Sequence, residues 1–193
     1  MVYKSAAALE MAVKATALTS VQDTGRVISS FYFHRFLCRI FNDGNDSFIL
    51  KGGQSLLART ADARMTRDID LLGIQDDLDA ALETLVGLAE TDLGDFLTFE
   101  FVSAHPIKMD DEYRSGLAVK FIPVLGVKRM QLISIDLVVD ALSLETAELV
   151  TPADRIEIDG LVTCDYLVYA VENALADKLC ALTEITMDDP HRV

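Results

Sequence analysis

No apolar run in this chain reaches the roughly 18 to 20 residues that a membrane-spanning helix needs, so no such helix is expected. The N-terminus lacks a basic segment followed by a hydrophobic stretch and a small-residue cleavage site, so secretion is not expected either. Cysteine is scarce: Cys38, Cys164 and Cys180 are odd in number, widely spaced and set among apolar neighbours. They read as reduced core thiols of a cytoplasmic protein, not as a disulfide framework or a metal site. Basic residues are also few, 17 against 31 acids, and the net charge of −14 excludes non-specific binding to a polyanion. Linkers rich in proline, glycine or serine, internal repeats and low-complexity tracts are all missing, so nothing forces a domain cut. What remains is a globular composition, 51% apolar and 25% charged over 193 residues, enough for one full core.

The charge is unevenly placed. Residues 51 to 67 carry Lys51, Arg59, Arg64 and Arg67 against Asp62 alone, whereas residues 68 to 95 carry nine acids and no base. Such a junction suits a site that holds both phosphates and metal ions, and it also reads as two solvated faces. Alanine and unbranched residues predict a helix over 3–17, and an apolar, aromatic pattern predicts another over 26–41, stopped by Asn42-Asp43-Gly44-Asn45. Ser47 to Leu50 reads as a short buried strand that leads into Gly52-Gly53 and a helix over 54–60. Strands are expected over 67–72, 97–104, 116–123 and 130–139, and helices over 76–90 and 166–184. This order implies an α+β fold, a mixed sheet flanked by helices, with N-terminal helices and a C-terminal helical portion. One unit over 1–193 is expected, its core at 1–140 and the start of a helical region at 141–193.

Four features carry chemistry. In Arg64-Met65-Thr66-Arg67-Asp68-Ile69-Asp70-Leu71 the aspartates are two apart, so on a strand both face one side while Ile69 and Leu71 face the core. Two carboxylates held together repel, and a divalent cation relieves that repulsion; hard oxygen ligands suit Mg²⁺ completed by substrate phosphates. Alone, the pair also reads as an exposed polar face. In Lys51-Gly52-Gly53-Gln54-Ser55 the glycines allow a phosphate close to the backbone and the helix start supplies N–H donors, although Gly-Gly alone is a turn. Asp136 sits inside the apolar run Gln131 to Val139, where a carboxylate needs a cationic or metal partner. Lys178 interrupts the apolar stripe of Val171, Leu175 and Leu182, either snorkelling outward or holding triphosphate oxygens.

The order of these motifs resembles the AbiEii/AbiGii nucleotidyltransferase toxin family, within the DNA polymerase β-like nucleotidyltransferase superfamily. Phe48 to Gly53 is similar to the family's strand and glycine turn, Arg64 to Leu71 to its arginine, hydroxyl residue and metal-binding Asp-x-Asp, and Val171 to Leu182 to its later helix with Lys178. The Phe31 to Ile40 helix also fits, and the resemblance covers residues 26 to 184. Asp188 and Asp189 do not match the family's further motif of arginine, two residues and Asp-Leu-x-Asp-Leu.

The resemblance implies a nucleotidyltransferase toxin of a toxin–antitoxin or phage-defence system, moving NMP from NTP to an RNA acceptor such as a tRNA 3′ end. Two Mg²⁺ ions would lie on Asp68 and Asp70, with Asp136 as third ligand and activator of the incoming hydroxyl. Gly52, Gly53 and Ser55 would hold the triphosphate, Lys51 and Lys178 would neutralise it, and Arg64 or Arg67 would grip a phosphate. Phosphorylation of Thr66 would set a dianion beside the metal site and block it. A cognate antitoxin is the implied protein partner. An RNA acceptor requires a basic face, for which Lys51, Arg59, Arg64, Arg67, Lys108, Arg114, Lys120, Lys128 and Arg129 are the candidates. Two alternatives stand beside this: transfer to a cationic small molecule of the aminoglycoside kind, and a non-catalytic nucleotide-binding module.

Overall fold

The computed structural model describes residues 3–60, 66, 68–75, 77–107, 115–139, 147–176 and 179. Helix α1 (Ala6–Thr19) starts where the Ser5 hydroxyl accepts from the Ala8 N–H, and it buries Leu9, Val13 and Ala17, one residue per turn. Asp23 caps α2 (Thr24–Ile40) in the same manner, and Asp77 caps α4 (Leu78–Ala89), whose inward residues are Ala81, Leu85 and Ala89. Between α2 and strand β1 (Phe48–Lys51), a tight turn over Asn42–Gly44 reverses the chain; Asp43 and Gly44 have φ of 53° and 71°.

Helix α3 (Gly52–Arg59) follows β1 without a gap, so the glycines are its first two residues and not a turn ahead of it. The remaining strands are β2 (Asp68–Gly73), β3 (Leu97–Ile107), β4 (Ser115–Leu125), β5 (Lys128–Arg129), β6 (Ile133–Val139), β7 (Ala147–Val150) and β8 (Tyr166–Tyr169). They form one mixed sheet in the order β3-β4-β6-β2-β1-β8-β7, with β5 paired to β4. The α+β expectation holds. The helix expected from Tyr166 does not begin there: Tyr166–Tyr169 is a strand parallel to β1, and helix resumes at residue 171. Two tyrosines and a valine favour the pleated surface, and Tyr166 and Val168 fill the main core from it.

The two faces of the sheet differ. Phe48 and Leu50 of β1, Ile69 and Leu71 of β2, and Ile133, Ile135 and Leu137 of β6 point into the main core beneath α1, α2 and α4. Their alternate neighbours face the other way, where Ile49, Leu72 and Tyr169 form a smaller apolar cluster. A buried ion network ties α2 to the start of β3. Asp95 accepts from Arg35 Nε and Arg39 Nη2, each at 2.7 Å, and Arg39 also donates to the Leu97 carbonyl at 2.8 Å. Burial alone would raise the Asp95 pKa, but the two guanidiniums, Arg39 above all, outweigh it and hold the carboxyl below its usual range. Cys38 is buried and Cys164 half-buried, and both are free thiols; Cys180 lies outside the described residues. Among the described residues, no helix is long and apolar enough to cross a membrane.

Candidate active site

Strand register assembles the acidic motifs into one row. Lys51 at the end of β1 lies opposite Asp70 of antiparallel β2, and Asp70 lies opposite Asp136 of parallel β6. One step along, Asp68 lies opposite Ser134, which in turn lies opposite Lys120 of β4. All of these residues sit on the face away from the main core, because each alternates with a core residue such as Leu50, Ile69, Ile135 or Val119. Asp68 is exposed, while Asp70 and Asp136 are half-buried.

The row is electrostatically costly. Burial, then the charges of Asp136 and Asp68, push the Asp70 pKa up; the Gly53 N–H bonded to its carboxylate and the Lys51 ammonium offset part of this. Burial, then Asp68, also raises Asp136. The three carboxylates therefore sense one another, and no salt bridge from a core arginine to Asp136 accounts for its presence in the described structure. Among the described residues, no group of three His, Cys, Asp or Glu side chains is already disposed to hold a metal ion.

The glycine segment is shaped around this row. Gly52 has φ of 64°, and a Cβ placed there would lie 1.7 Å from Oδ2 and 2.4 Å from Cγ of Asp70. A Cβ on Gly53 would meet Thr66 Cγ2 at 2.2 Å. Only glycine permits both approaches. Ser55 is buried and its hydroxyl donates to the Gly52 carbonyl at 2.7 Å, bracing the first turn of α3. The Thr66 hydroxyl donates to the Asp68 carbonyl at 2.8 Å, so it shapes the approach to β2. Lys51 Nζ lies 4.2 Å from the centre of the Tyr169 ring, a cation–π contact that steadies the ammonium beside the row. Arg64, Arg67 and Lys178 lie outside the described residues.

Two cavities flank the carboxylates. One of about 170 Å³ lies on the β1 and β8 side, lined by Lys51, Gly52, Ser55, Tyr169 and the helix from residue 171. The other, a cleft of about 820 Å³, lies on the β6 side between the first turns of α2 and residues 130–134, with Asp68 in its wall. Tyr169 and Lys120 gain their places only through pairing; Tyr169 was hidden inside an expected helix, and Lys120 was legible only as one candidate for a basic face. Among the described candidates for a basic face, three are paired with acids: Arg59 with Glu148 at 2.8 Å, Lys128 with Glu10 at 2.6 Å, and Arg129 with Glu100. Arg64, Arg67, Lys108 and Arg114 lie outside the described residues.

The model of the family described as nucleotidyl transferase AbiEii toxin, type IV toxin–antitoxin system, matches residues 35–192. Among solved structures, the chain is similar to JHP933 from Helicobacter pylori, at 15% identity and a TM-score of 0.48, over 84% of this chain and 59% of that one. It is also similar to a candidate nucleotidyltransferase from H. pylori, at 16% identity and a TM-score of 0.45, over 78% of this chain and 58% of that one. The chain thus spans about three-fifths of the length of these two proteins. No curated protein matches it by sequence.

Proposed function

The chain belongs to the AbiEii nucleotidyl transferase toxin family of type IV toxin–antitoxin systems, and on that footing we propose that it transfers a nucleoside monophosphate from a nucleoside triphosphate to an RNA acceptor such as a tRNA 3′ end. The observation that carries this reading is the cross-strand row of Lys51, Asp70 and Asp136, with Asp68 one step along β2.

The donor set fits a hard divalent cation. Asp68, Asp70 and Asp136 offer carboxylate oxygens only, and the raised pKa values of Asp70 and Asp136 reflect burial first and then the neighbouring carboxylates, costs that a bound cation would offset. These three residues would hold Mg²⁺, which when bound lowers the pKa of the attacking hydroxyl and offsets charge on the leaving pyrophosphate. The other roles fall to the chain itself. The start of α3 presents backbone N–H groups to the triphosphate, and the missing side chains at Gly52 and Gly53 let it approach. Lys51, and Lys178 by family resemblance, neutralise the phosphates; Ser55 braces the turn or donates to them, and Arg64 or Arg67 grips a phosphate. The acceptor hydroxyl oxygen bonds to the α-phosphorus as the bond to the β-phosphate breaks. Pyrophosphate leaves with that bond's electrons, and Asp136 takes the hydroxyl proton.

A phosphate on Thr66, two residues before Asp68, would replace the hydroxyl donor by a dianion and block the row. A cognate antitoxin is the proposed protein partner. Incubation of the chain with Mg²⁺, each labelled nucleoside triphosphate and total tRNA, beside an Asp68→Ala/Asp70→Ala control, tests the proposal. Labelled RNA that disappears in the control is expected. Nucleotide binding without transfer to any RNA would refute the RNA acceptor and leave the small-molecule acceptor or a binding module.

A further inference from the structure

We propose that the cleft of about 820 Å³ on the β6 side of the carboxylate row is the acceptor subsite, and that it takes the neutral terminal nucleoside of an RNA. The inference rests on the transferase reading and deepens it by dividing the site between the two substrates.

Position is the first argument. Strand β2 lies between β1 and β6, so Asp68 and Asp70 separate the Lys51–Gly52 segment from the cleft. Phosphoryl transfer places attacking and leaving oxygens roughly in line across the phosphorus. A triphosphate on the start of α3 directs its pyrophosphate toward β1. The attacking hydroxyl must then come from the opposite flank, toward β6, where the cleft opens beside Asp68 and where Asp136 stands opposite Asp70 on the neighbouring strand. The smaller cavity, which adjoins Lys51, Ser55 and Tyr169, is left for the incoming nucleotide.

Composition is the second argument. A polycationic acceptor would need several carboxylates, yet Asp68 is the one acid among the described lining residues. A tracked phosphate backbone would need a run of bases, yet Arg26 is the one base among the described lining residues, and Arg59, Lys128 and Arg129 elsewhere are paired with acids. The walls instead combine the Tyr32 ring, Met130 and Leu132 with the hydroxyl and amide groups of Ser29, Ser134 and Gln131. Flat apolar surface with a few hydrogen-bonding groups matches a base and its ribose. Burial keeps the Tyr32 phenol protonated, with its pKa pushed up to about 12, so it adds no negative charge beside an RNA end.

Photocrosslinking of the full chain tests this division. Azido-substituted purine and pyrimidine triphosphates serve as one probe, and a short single-stranded RNA with 4-thiouridine at its 3′ end serves as the other. Labelled peptides are mapped by mass spectrometry. The RNA end is expected on residues 26–33 or 130–134, and the triphosphates on residues 51–56 or 169–175. Ser29→Trp, which fills the cleft, is expected to weaken RNA binding at least tenfold while triphosphate affinity stays within twofold. Gln131→Trp, at an exposed position, repeats the test should Ser29→Trp fail to fold. An RNA end mapped outside the cleft, no RNA crosslink, or unchanged RNA affinity in a folded variant overturns the subsite assignment. Failure of every triphosphate to label its expected peptides instead overturns the transferase reading beneath it.

Discussion

Replacing Gly52 by alanine probes the contact on which the candidate site is built. Two costs add. A left-handed φ of 64° disfavours an L side chain by about 1–2 kcal/mol. The new methyl would stand 1.7 Å from Asp70 Oδ2 and 3.0 Å from Asp70 Cβ, so the carboxylate must swing away and even then the fit is tight. Overpacking of that kind costs about 1–3 kcal/mol. The sum, about 2–5 kcal/mol, lowers Tm by roughly 4–20 °C for a chain of this length. Gly44→Ala is the internal control: its φ is also positive at 71°, but no heavy atom lies within 4 Å of the added methyl, so only the backbone term of about 1–2 kcal/mol applies. The decisive assay is a double-mutant cycle by thermal or urea unfolding. In an Asp70→Ala background the Oδ2 and Cγ overlaps vanish, and Gly52→Ala should cost about 1–3 kcal/mol less than in the parent. An equal cost in both backgrounds, or a cost no greater than that of Gly44→Ala, would refute the close approach of α3 to β2.

Asp95→Ala strips the buried Arg35 and Arg39 of their shared carboxylate and should cost about 3–5 kcal/mol in urea unfolding. Because the folded pKa of Asp95 is depressed, its contribution is present above the unfolded value and lost as pH falls through the folded one; Asp95→Asn should therefore flatten the acid limb of the stability profile. Asp70 has the opposite sign. Its folded pKa is raised, so stability grows as pH falls through that value toward the unfolded one, and Asp70→Asn should stabilise the metal-free chain at pH 7. Addition of Mg²⁺ should raise the Tm of the parent more than that of Asp70→Asn, and equal shifts would count against a cation on this row.

The alternation around Asp68 and Asp70, the glycines and the acid inside an apolar strand were legible because each is a local pattern with a local physical meaning. Their mutual placement was not. Nothing near Asp136 announces that β6 runs parallel to β2 with Asp136 opposite Asp70; that register comes from burying Ile133, Ile135 and Leu137 beside Ile69 and Leu71. Tyr166–Tyr169 was absorbed into the helix that follows, since four apolar residues fit either period, and pairing with β1 decided it. The two-residue strand β5 is too short to leave a pattern, and β7, with an exposed glutamate and leucine side by side, shows neither the alternation nor the apolar run that marked the equally short β1.

The parallel pairing of β2 with β6 also bears on when the chain acquires its chemistry. Lys51 and Asp70 meet through the local pairing of β1 with β2, whereas Asp136 joins them only through the pairing of β2 with β6 across the intervening β3, β4 and β5, so closure of the row is a non-local event. During synthesis, a nascent chain that has not yet reached β6 carries the Asp68/Asp70 pair without its third carboxylate. Under the proposed transfer, a chain whose β6 has not yet been made lacks the residue assigned to take the proton.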